Sequence, residues 1–354
     1  MDNFFKKSIG VDVGKDELFF CICGITALQE VKIKGTRKLP NTPAGIKEAL
    51  LWISKHRKEK IPLTITMEAT GIYHERLALA LQQAGYRISV ILPNKARSYM
   101  KSLGLQSKTD SIDAKGLARM GAEQHLKVWE PRAALYYELR LLTRHYEDMQ
   151  KTITSYSNRL HAMQRGMYRH EQLEKSLQEF ISQLESMAKE AEANIQALIK
   201  ANDYLSAKME KLTSIKGVAL LSAATVVAET NGFALFENVR QLESYAGYNV
   251  IEDQSGKRRG KTKISKKGNS HIRRILHMPA LNMVTYQVAP FANLYSRVHD
   301  SSKIKMKGYV AVQRKLLGML YTLWKNDCFF NAAYTKTIGE EKPKSSFVLA
   351  SQKP

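Results

Sequence analysis

Ten apolar residues between positions 135 and 167 recur at alternating intervals of four and three: Leu135, Leu139, Leu142, Tyr146, Met149, Ile153, Tyr156, Leu160, Met163 and Met167. A helix turns once in about 3.6 residues, so this spacing lays all of them along one stripe, the heptad seam of a coiled coil. A strand, with its period of two, cannot present such a stripe on one face. A second stripe runs Leu173, Leu177, Phe180, Leu184, Met187 and Ala191, and the six-residue step from Met167 to Leu173 breaks the phase. The spacing predicts two long helices joined near residues 166–170. From 132 to 210 the chain carries eleven Lys and Arg against eleven Asp and Glu, so the stretch is neutral and poorly suited to be a main polyanion surface. One use of the stripe is a coiled coil that assembles a homodimer or homotetramer. The other is a helical hairpin packed on its own chain.

The flanking stretches follow different rules. Residues 1–130 alternate strand and helix signals. Strands are expected at 8–13 and 17–23 around the turn Gly14-Lys15-Asp16, with a third at 27–33. A helix at 43–56 is capped by Thr42, a buried strand follows at 63–67, a helix at 73–84 stops at Gly85, and 87–92 is again a strand. A hairpin-like start followed by αβ units predicts a mixed sheet with flanking helices. Residues 211–330 read as mostly helical. Residues 331–354 are polar, rich in Lys and Ser, and read as a disordered tail.

The formal net charge is +22, and the excess sits late in the chain. Residues 254–326 hold sixteen Lys and Arg against one acid, Asp300. Such a balance calls for a polyanionic partner, nucleic acid before membrane. No apolar run approaches the ~20 residues of a spanning helix, and Met-Asp-Asn-Phe-Phe-Lys-Lys is followed by no signal core. Cys21 and Cys23 alternate on one strand as buried thiols, Cys328 stands alone, and neither a disulfide scaffold nor a zinc site is implied. A reducing cytoplasm fits.

Against this basic background four acids stand out. Asp12 interrupts the apolar strand Ser8-Ile9-Gly10-Val11-Asp12-Val13-Gly14, and Glu68 ends Leu63-Thr64-Ile65-Thr66-Met67-Glu68. Asp110 and Asp113 stand three apart in Lys108-Thr109-Asp110-Ser111-Ile112-Asp113-Ala114, which points both along one helix face. Two-metal phosphodiester chemistry needs oxygen ligands around two divalent ions about 3.5–4 Å apart, and Mg2+ takes a few carboxylates plus water and phosphate. Singly, each acid has a plainer reading: a turn residue, a cap, or a charge favouring a helix N-terminus.

Three further segments suit nucleic acid. In Gln254-Ser255-Gly256-Lys257-Arg258-Arg259-Gly260-Lys261-Thr262-Lys263, a serine beside glycine and dense positive charge can meet a phosphate closely. Ser255 needs an activating base or metal, and none lies nearby in sequence. The glycines are one residue too close for a P-loop, which excludes that mode of ATP binding. Ile215-Lys216-Gly217-Val218 between helical segments resembles a helix-hairpin-helix turn, whose backbone amides hold a phosphate. In Lys266-Lys267-Gly268-Asn269-Ser270-His271-Ile272-Arg273-Arg274 the cations line one side of a helix start. Solvated charge and plain helical turns are the alternatives. Tyr245, Tyr248, Tyr286 and Tyr295 read as packing residues, with stacking on nucleotides as the alternative.

In this order the motifs resemble the DEDD transposases of the bacterial insertion-sequence family numbered one hundred and ten, the bridge-RNA-guided recombinases. The resemblance runs from about residue 5 to 330. It rests on Gly10-Val11-Asp12-Val13-Gly14-Lys15, Met67-Glu68-Ala69-Thr70-Gly71, Lys108-Thr109-Asp110-Ser111-Ile112-Asp113-Ala114, Ile215-Lys216-Gly217-Val218, Tyr245-Ala246-Gly247, Gln254-Ser255-Gly256-Lys257 and the Lys266 to Arg274 segment. It implies an α/β RuvC-like (RNase H-fold) nuclease domain over 1–130, a coiled coil over 131–210, and a mostly α transposase domain with a helix-hairpin-helix-like element over 211–330. It implies that Asp12, Glu68, Asp110 and Asp113 bind Mg2+, with Mn2+ as a substitute, and that Ser255 is the nucleophile, forming a phosphoserine link to cleaved DNA. It further implies a composite site uniting carboxylates and serine, and a bridge RNA that pairs with donor and target double-stranded DNA. The expected nucleic-acid contacts are Lys216, Gly217, Lys257, Arg258, Arg259, Lys261, Lys263, Lys266, Lys267, Arg273 and Arg274. The setting is the bacterial cytoplasm, at the nucleoid. One departure is visible: the family has proline near 248–250, where this chain reads Tyr248-Asn249-Val250. A RuvC-like structure-specific endonuclease, needing the carboxylates but not Ser255, is the rival enzyme. An inactive nucleic-acid-binding assembly protein is the third reading.

Overall fold

The computed structural model describes residues 4–57, 61–104, 109–252, 254–255, 258–260 and 262–331. Two compact units divide the chain, Met1–Pro131 and Arg132–Pro354. The tail expected at 331–354 falls, apart from Asn331, outside the described residues.

The first unit is α/β. Its strands are β1 (Phe4–Val13), β2 (Glu17–Thr26), β3 (Val31–Pro40), β4 (Leu63–Glu68) and β5 (Arg87–Ile91); its helices are α1 (Pro43–His56), α2 (Glu75–Gln83), α3 (Pro93–Ser102) and α4 (Asp110–Glu123). The strands form one sheet in the order β3-β2-β1-β4-β5. β1, β2 and β3 pair antiparallel, while β4 and β5 run parallel to β1. This is the mixed sheet expected for 1–130, and it supports the RuvC-like reading. The Thr42 cap is present, its hydroxyl accepting from the Gly45 N–H at 3.2 Å.

Strand alternation sorts the residues of β1 and β4 between two faces. Ile9, Val11, Ile65 and Met67 enter a core with Ile46, Ala49 and Ile53 of α1 and Leu77 and Leu81 of α2. The opposite face carries Cys21, Cys23 and Ile25, covered by Ala114, Ala118 and Ala122 of α4. Two expectations are corrected here. The third strand begins at Val31 and not at residue 27, because 27–28 turn; it extends to Pro40 through Lys32, Lys34, Arg37 and Lys38. β3 is an edge strand, where charged residues are at home, so hydropathy understated its length. Helix α3 is an addition to the expected elements, a polar helix that buries only Ala96 and Met100.

The second unit is mostly helical: α5 (Ala134–Gln164), α6 (Glu171–Lys200), α7 (Asp203–Thr213), α8 (Leu220–Glu229), α9 (Val239–Ala246), α10 (Ser270–Ile275), α11 (His277–Thr285), α12 (Ala289–Ser302) and α13 (Lys305–Asn326). Four two-residue strands lie between α9 and α10: β6 (Val250–Ile251), β7 (Gln254–Ser255), β8 (Arg258–Arg259) and β9 (Lys263–Ile264). The long helices α5 and α6 pack on each other within the chain. Leu160, Leu177 and Ile181 form their shared core with Ile153, Tyr156 and Met163 against it. Leu139, Ile195 and Ile199 continue into the main core with Leu205, Val226, Phe233, Leu316 and Trp324. The hairpin and the helices after it thus share one hydrophobic interior. The α6 seam shifts by one position from the expected stripe. Ile181 and Ala188 are buried where Phe180 and Met187 were expected, and these two stand 39% and 45% exposed. Both neighbours are apolar at each place, so only the facing helix selects the register. Phe180 still packs edge-on against Tyr156, with ring centroids 4.9 Å apart.

Candidate active site: a carboxylate edge and an exposed serine

The carboxylate edge is built by backbone geometry. Val11 on β1 pairs with Met67 on parallel β4, so one step further Asp12 and Glu68 stand side by side at the same strand ends. Alternation turns both to the face that α4 covers. Small residues let α4 lie flush there: a β-carbon on Gly10 would come 2.1 Å from the Ala114 carbonyl oxygen and from the Ala118 nitrogen. Further along α4, a β-carbon on Gly121 would meet the hydroxyls of Thr66 and Ser8. Ala114 and Ala118 thus cross β1 at Gly10, and Gly121 crosses it nearer the N-terminus, so α4 runs antiparallel to β1. Its first turn, with Asp110 and Asp113, arrives at the strand ends that carry Asp12 and Glu68.

Thr109 caps α4, its hydroxyl accepting from the Ile112 N–H at 3.3 Å. Asp110 is therefore not spent as the N-cap. Asp12 and Asp110 line one open pocket of about 410 Å³ with Gly14, Lys15, Phe19 and Lys38. Asp16 and Glu17 line it too. Reading Asp16 only as a turn residue and Glu17 only as a strand start missed these two acids; their closeness to Asp12 in sequence was the available signal. Glu17 is held by Lys38 at 2.7 Å. Asn41 ties the neighbouring loops together, its amide donating to the carbonyls of Gly14 at 3.0 Å and Tyr73 at 3.2 Å. The donor set is all oxygen, which suits a hard divalent cation. Among the described residues no three acidic, His or Cys side chains close into a ready cage. By donor chemistry and shared edge, the residues fit such an ion.

Ser255 lies in the second unit on a nested hairpin of two separate two-stranded ladders. Val250 pairs with Ile264 and Ile251 with Lys263 at its base, while Gln254 pairs with Arg259 and Ser255 with Arg258 toward its tip. Ser255 is exposed. Lys257 and Lys261 lie outside the described residues, and for Arg258 and Arg259 only the backbone is described. The base of the ladder is fixed to the unit's interior. Ser265 N–H donates to the Asn249 carbonyl at 2.8 Å, and Asn269 N–H to the Tyr245 carbonyl at 2.7 Å.

That fixing ends on a residue to which the sequence assigned no role. Glu229, with its side chain fully buried at the end of α8, accepts a fork from Arg144 at 2.6 and 3.1 Å and a bond from the Asn269 amide at 2.7 Å. Arg140 adds charge at 3.4 Å. Burial pushes the Glu229 carboxyl up, but the Arg144 bond and the two guanidiniums prevail and hold it below the usual range. Burial pulls Arg140 down, whereas Arg144, with the better geometry, is drawn up by Glu229 despite its burial. The missed signal was an acid ending an apolar helix, Val226-Val227-Ala228-Glu229, the same signal that marked Glu68.

Two of the expected nucleic-acid cations are engaged inside the unit. Arg273 donates to the carbonyls of Ala246 at 2.6 Å and Asn269 at 3.3 Å, and Arg274 pairs with Glu147. Lys216 lies over the Tyr286 ring at 5.3 Å. Gly217 takes φ +97° in the turn between α7 and α8, a conformation that favours glycine. Lys263, Lys266 and Lys267 are exposed.

A family model for transposases of the DEDD, IS110 type matches residues 9–169, and one described as Transposase IS116/IS110/IS902 family matches 209–296. The pilin gene-inverting protein of Moraxella bovis is 26% identical over 336 residues, 95% of this chain and 99% of its own length. The transposase for insertion sequence element IS1111A of Coxiella burnetii is 24% identical over 299 residues, 76% of each chain. Among solved structures, T. thermophilus RuvC in complex with Holliday junction substrate aligns with 35% of this chain and 99% of its own at 14% identity and a TM-score of 0.26.

Proposed function

The chain belongs to the IS110 family of DEDD transposases, and from that premise we propose that it cleaves and exchanges donor and target DNA strands through a serine-linked intermediate. What supports the reading is the carboxylate edge: Asp12 and Glu68 in adjacent register, and Asp110 of α4 lining one pocket with Asp12. Asp12, Glu68, Asp110 and Asp113 would hold divalent ions, Mg2+ first. Bound there, the ions supply charge stabilisation at the phosphate and lower the pKa of a coordinated hydroxyl.

The chain's own part is nucleophile and positioning. Ser255 forms a P–O bond as one sugar–phosphate bond breaks; its proton leaves with a base and the departing sugar oxygen gains one. The phosphoserine conserves the bond for attack by another strand's hydroxyl. Lys263, Lys266 and Lys267, with the amides of the Lys216-Gly217 turn, suit phosphate contacts without base readout. The family resemblance supports a bridge RNA that selects donor and target by pairing, and action as a homodimer or homotetramer. Among the described residues no helix is long and apolar enough to cross a membrane.

The test is adduct trapping. Protein, DNA and Mg2+ are incubated and denatured. A protein–DNA adduct that disappears with Ser255→Ala supports the reading, whereas hydrolytic cuts without adduct favour a RuvC-like endonuclease. Full activity of Asp12→Ala would point to neither. The pilin gene-inverting relatives favour a second outcome of the same chemistry, inversion of a segment in place of movement of an element. Sequencing the products of a plasmid that reports both separates them.

A further inference from the structure

Between the base of the serine ladder and the α12–α13 pair lies a cavity of about 750 Å³ to which neither the motifs nor the family comparisons assign a role. Part of its lining is aliphatic: Val250 and Ile264 from the ladder, and Ile304, Met306 and Val310 from the helical side. Val250 and Met306 are 51% and 56% exposed, so apolar carbon faces solvent here. The same lining carries cations. Arg314 is paired with Glu243 at 2.6 Å, and Lys315 donates to the Pro290 carbonyl at 2.6 Å. Lys263, Lys266, Arg297 and Lys307 also line the cavity, and among the described residues their side chains make no hydrogen bond or ion pair.

We propose that this groove binds an unpaired stretch of the substrate DNA, one or two nucleotides, beside the strand that Ser255 attacks. The proposal rests on the strand-exchange reading above, because exchange leaves bases transiently unpaired. Exposed apolar carbon beside cations suits an unpaired nucleotide on both counts: the base face leaves water against carbon and the phosphates meet the cations. Duplex DNA offers mainly phosphate and sugar to such a groove, since its base faces are stacked. A second copy of this chain would set cation against cation. The volume lies inside the range of about 300–1,000 Å³ that small-ligand pockets occupy. The position argues for the cleaved strand, since the five steps of chain from Val250 to Ser255 span at most ~18 Å.

The test uses the full chain, a fluorescent single-stranded oligodeoxythymidylate and a duplex of the same length at fixed salt. Val250→Thr combined with Met306→Gln keeps charge and nearly keeps volume at two exposed positions. The expected result is a loss of about fivefold or more for the single strand with less than about twofold for the duplex. Equal changes for both, or none, overturn the proposal. A mass change of the double variant in light scattering also overturns it, since a second copy would then be the occupant. Should the variant melt early, photocrosslinking of wild type with a thiothymidine oligonucleotide decides. Crosslinks on residues 250–264 or 304–310 support the groove, and crosslinks only elsewhere overturn it. Adduct trapping is scored separately: adduct without single-strand preference rejects the groove alone, and single-strand preference without adduct rejects the serine reading alone.

Discussion

Gly10 of β1 and Ala118 of α4 meet backbone to backbone: a β-carbon on Gly10 would lie 2.1 Å from the Ala118 nitrogen. This approach fixes where α4 delivers Asp110 and Asp113. Gly10→Ala should cost about 1–3 kcal/mol by overpacking and shift the first turn of α4 away from Asp12. Urea melts should show the loss, and cleavage should fall while duplex binding persists. Unchanged cleavage would contradict the assigned role of this close approach.

Asp12→Asn and Asp110→Asn each remove one anionic ligand and little volume. Metal stabilisation of several kcal/mol at the transition state corresponds to about a thousandfold in rate. Strand cleavage should drop on that scale, and chelation of wild type should mimic the loss until Mg2+ is restored. A variant retaining most of its rate would remove that residue from the set.

Glu229→Gln takes the counter-charge from the half-buried Arg140 and Arg144. The carboxyl is depressed in the fold, so its contribution is present above the unfolded carboxylate pKa, about 4.3, and is lost as pH falls through the lower folded value. Wild type should exceed the variant by about 1–3 kcal/mol near neutral pH, and the gap should narrow as pH falls below about 4. Denaturant melts across that range measure it; a gap independent of pH would mean that the charge is not the cause.

Burial pushes the Cys21 thiol up to about 11 and the Cys23 thiol up to about 12, while Cys328 is exposed. A thiol reagent at neutral pH should therefore label Cys328 promptly and the other two only on unfolding. Rapid labelling of Cys21 would show that α4 leaves the sheet readily.

Duplex binding should weaken with salt at a log–log slope of about −0.9 per neutralised phosphate. Replacing Lys263, Lys266 and Lys267 with Gln should flatten the slope by about 0.9 for each phosphate that is no longer neutralised. A slope already flat in wild type would contradict the placement of basic charge after residue 254.

Periodic and local features were legible in the residues alone. Alternation on β1 and β4 already placed Asp12 and Glu68 at strand ends, because side-chain direction follows from the backbone period alone. The 4-3 stripe of α5 announced a long helix, and ordered motifs announced the family. The tertiary structure decided everything that depended on a distant neighbour. It chose Ile181 over Phe180 for the α6 seam, because adjacent apolar residues are equivalent until a facing helix arrives. It extended β3 through its lysines, because an edge strand needs only one partner. It turned Glu229 from an acid in an apolar run into the buried anchor of Asn269, and it tied Arg273 to backbone carbonyls and Arg274 to Glu147. Most of all it brought Asp110 to Asp12 from far along the chain, and that pairing follows from the missing β-carbon of Gly10, whose consequence emerges only when α4 packs against it.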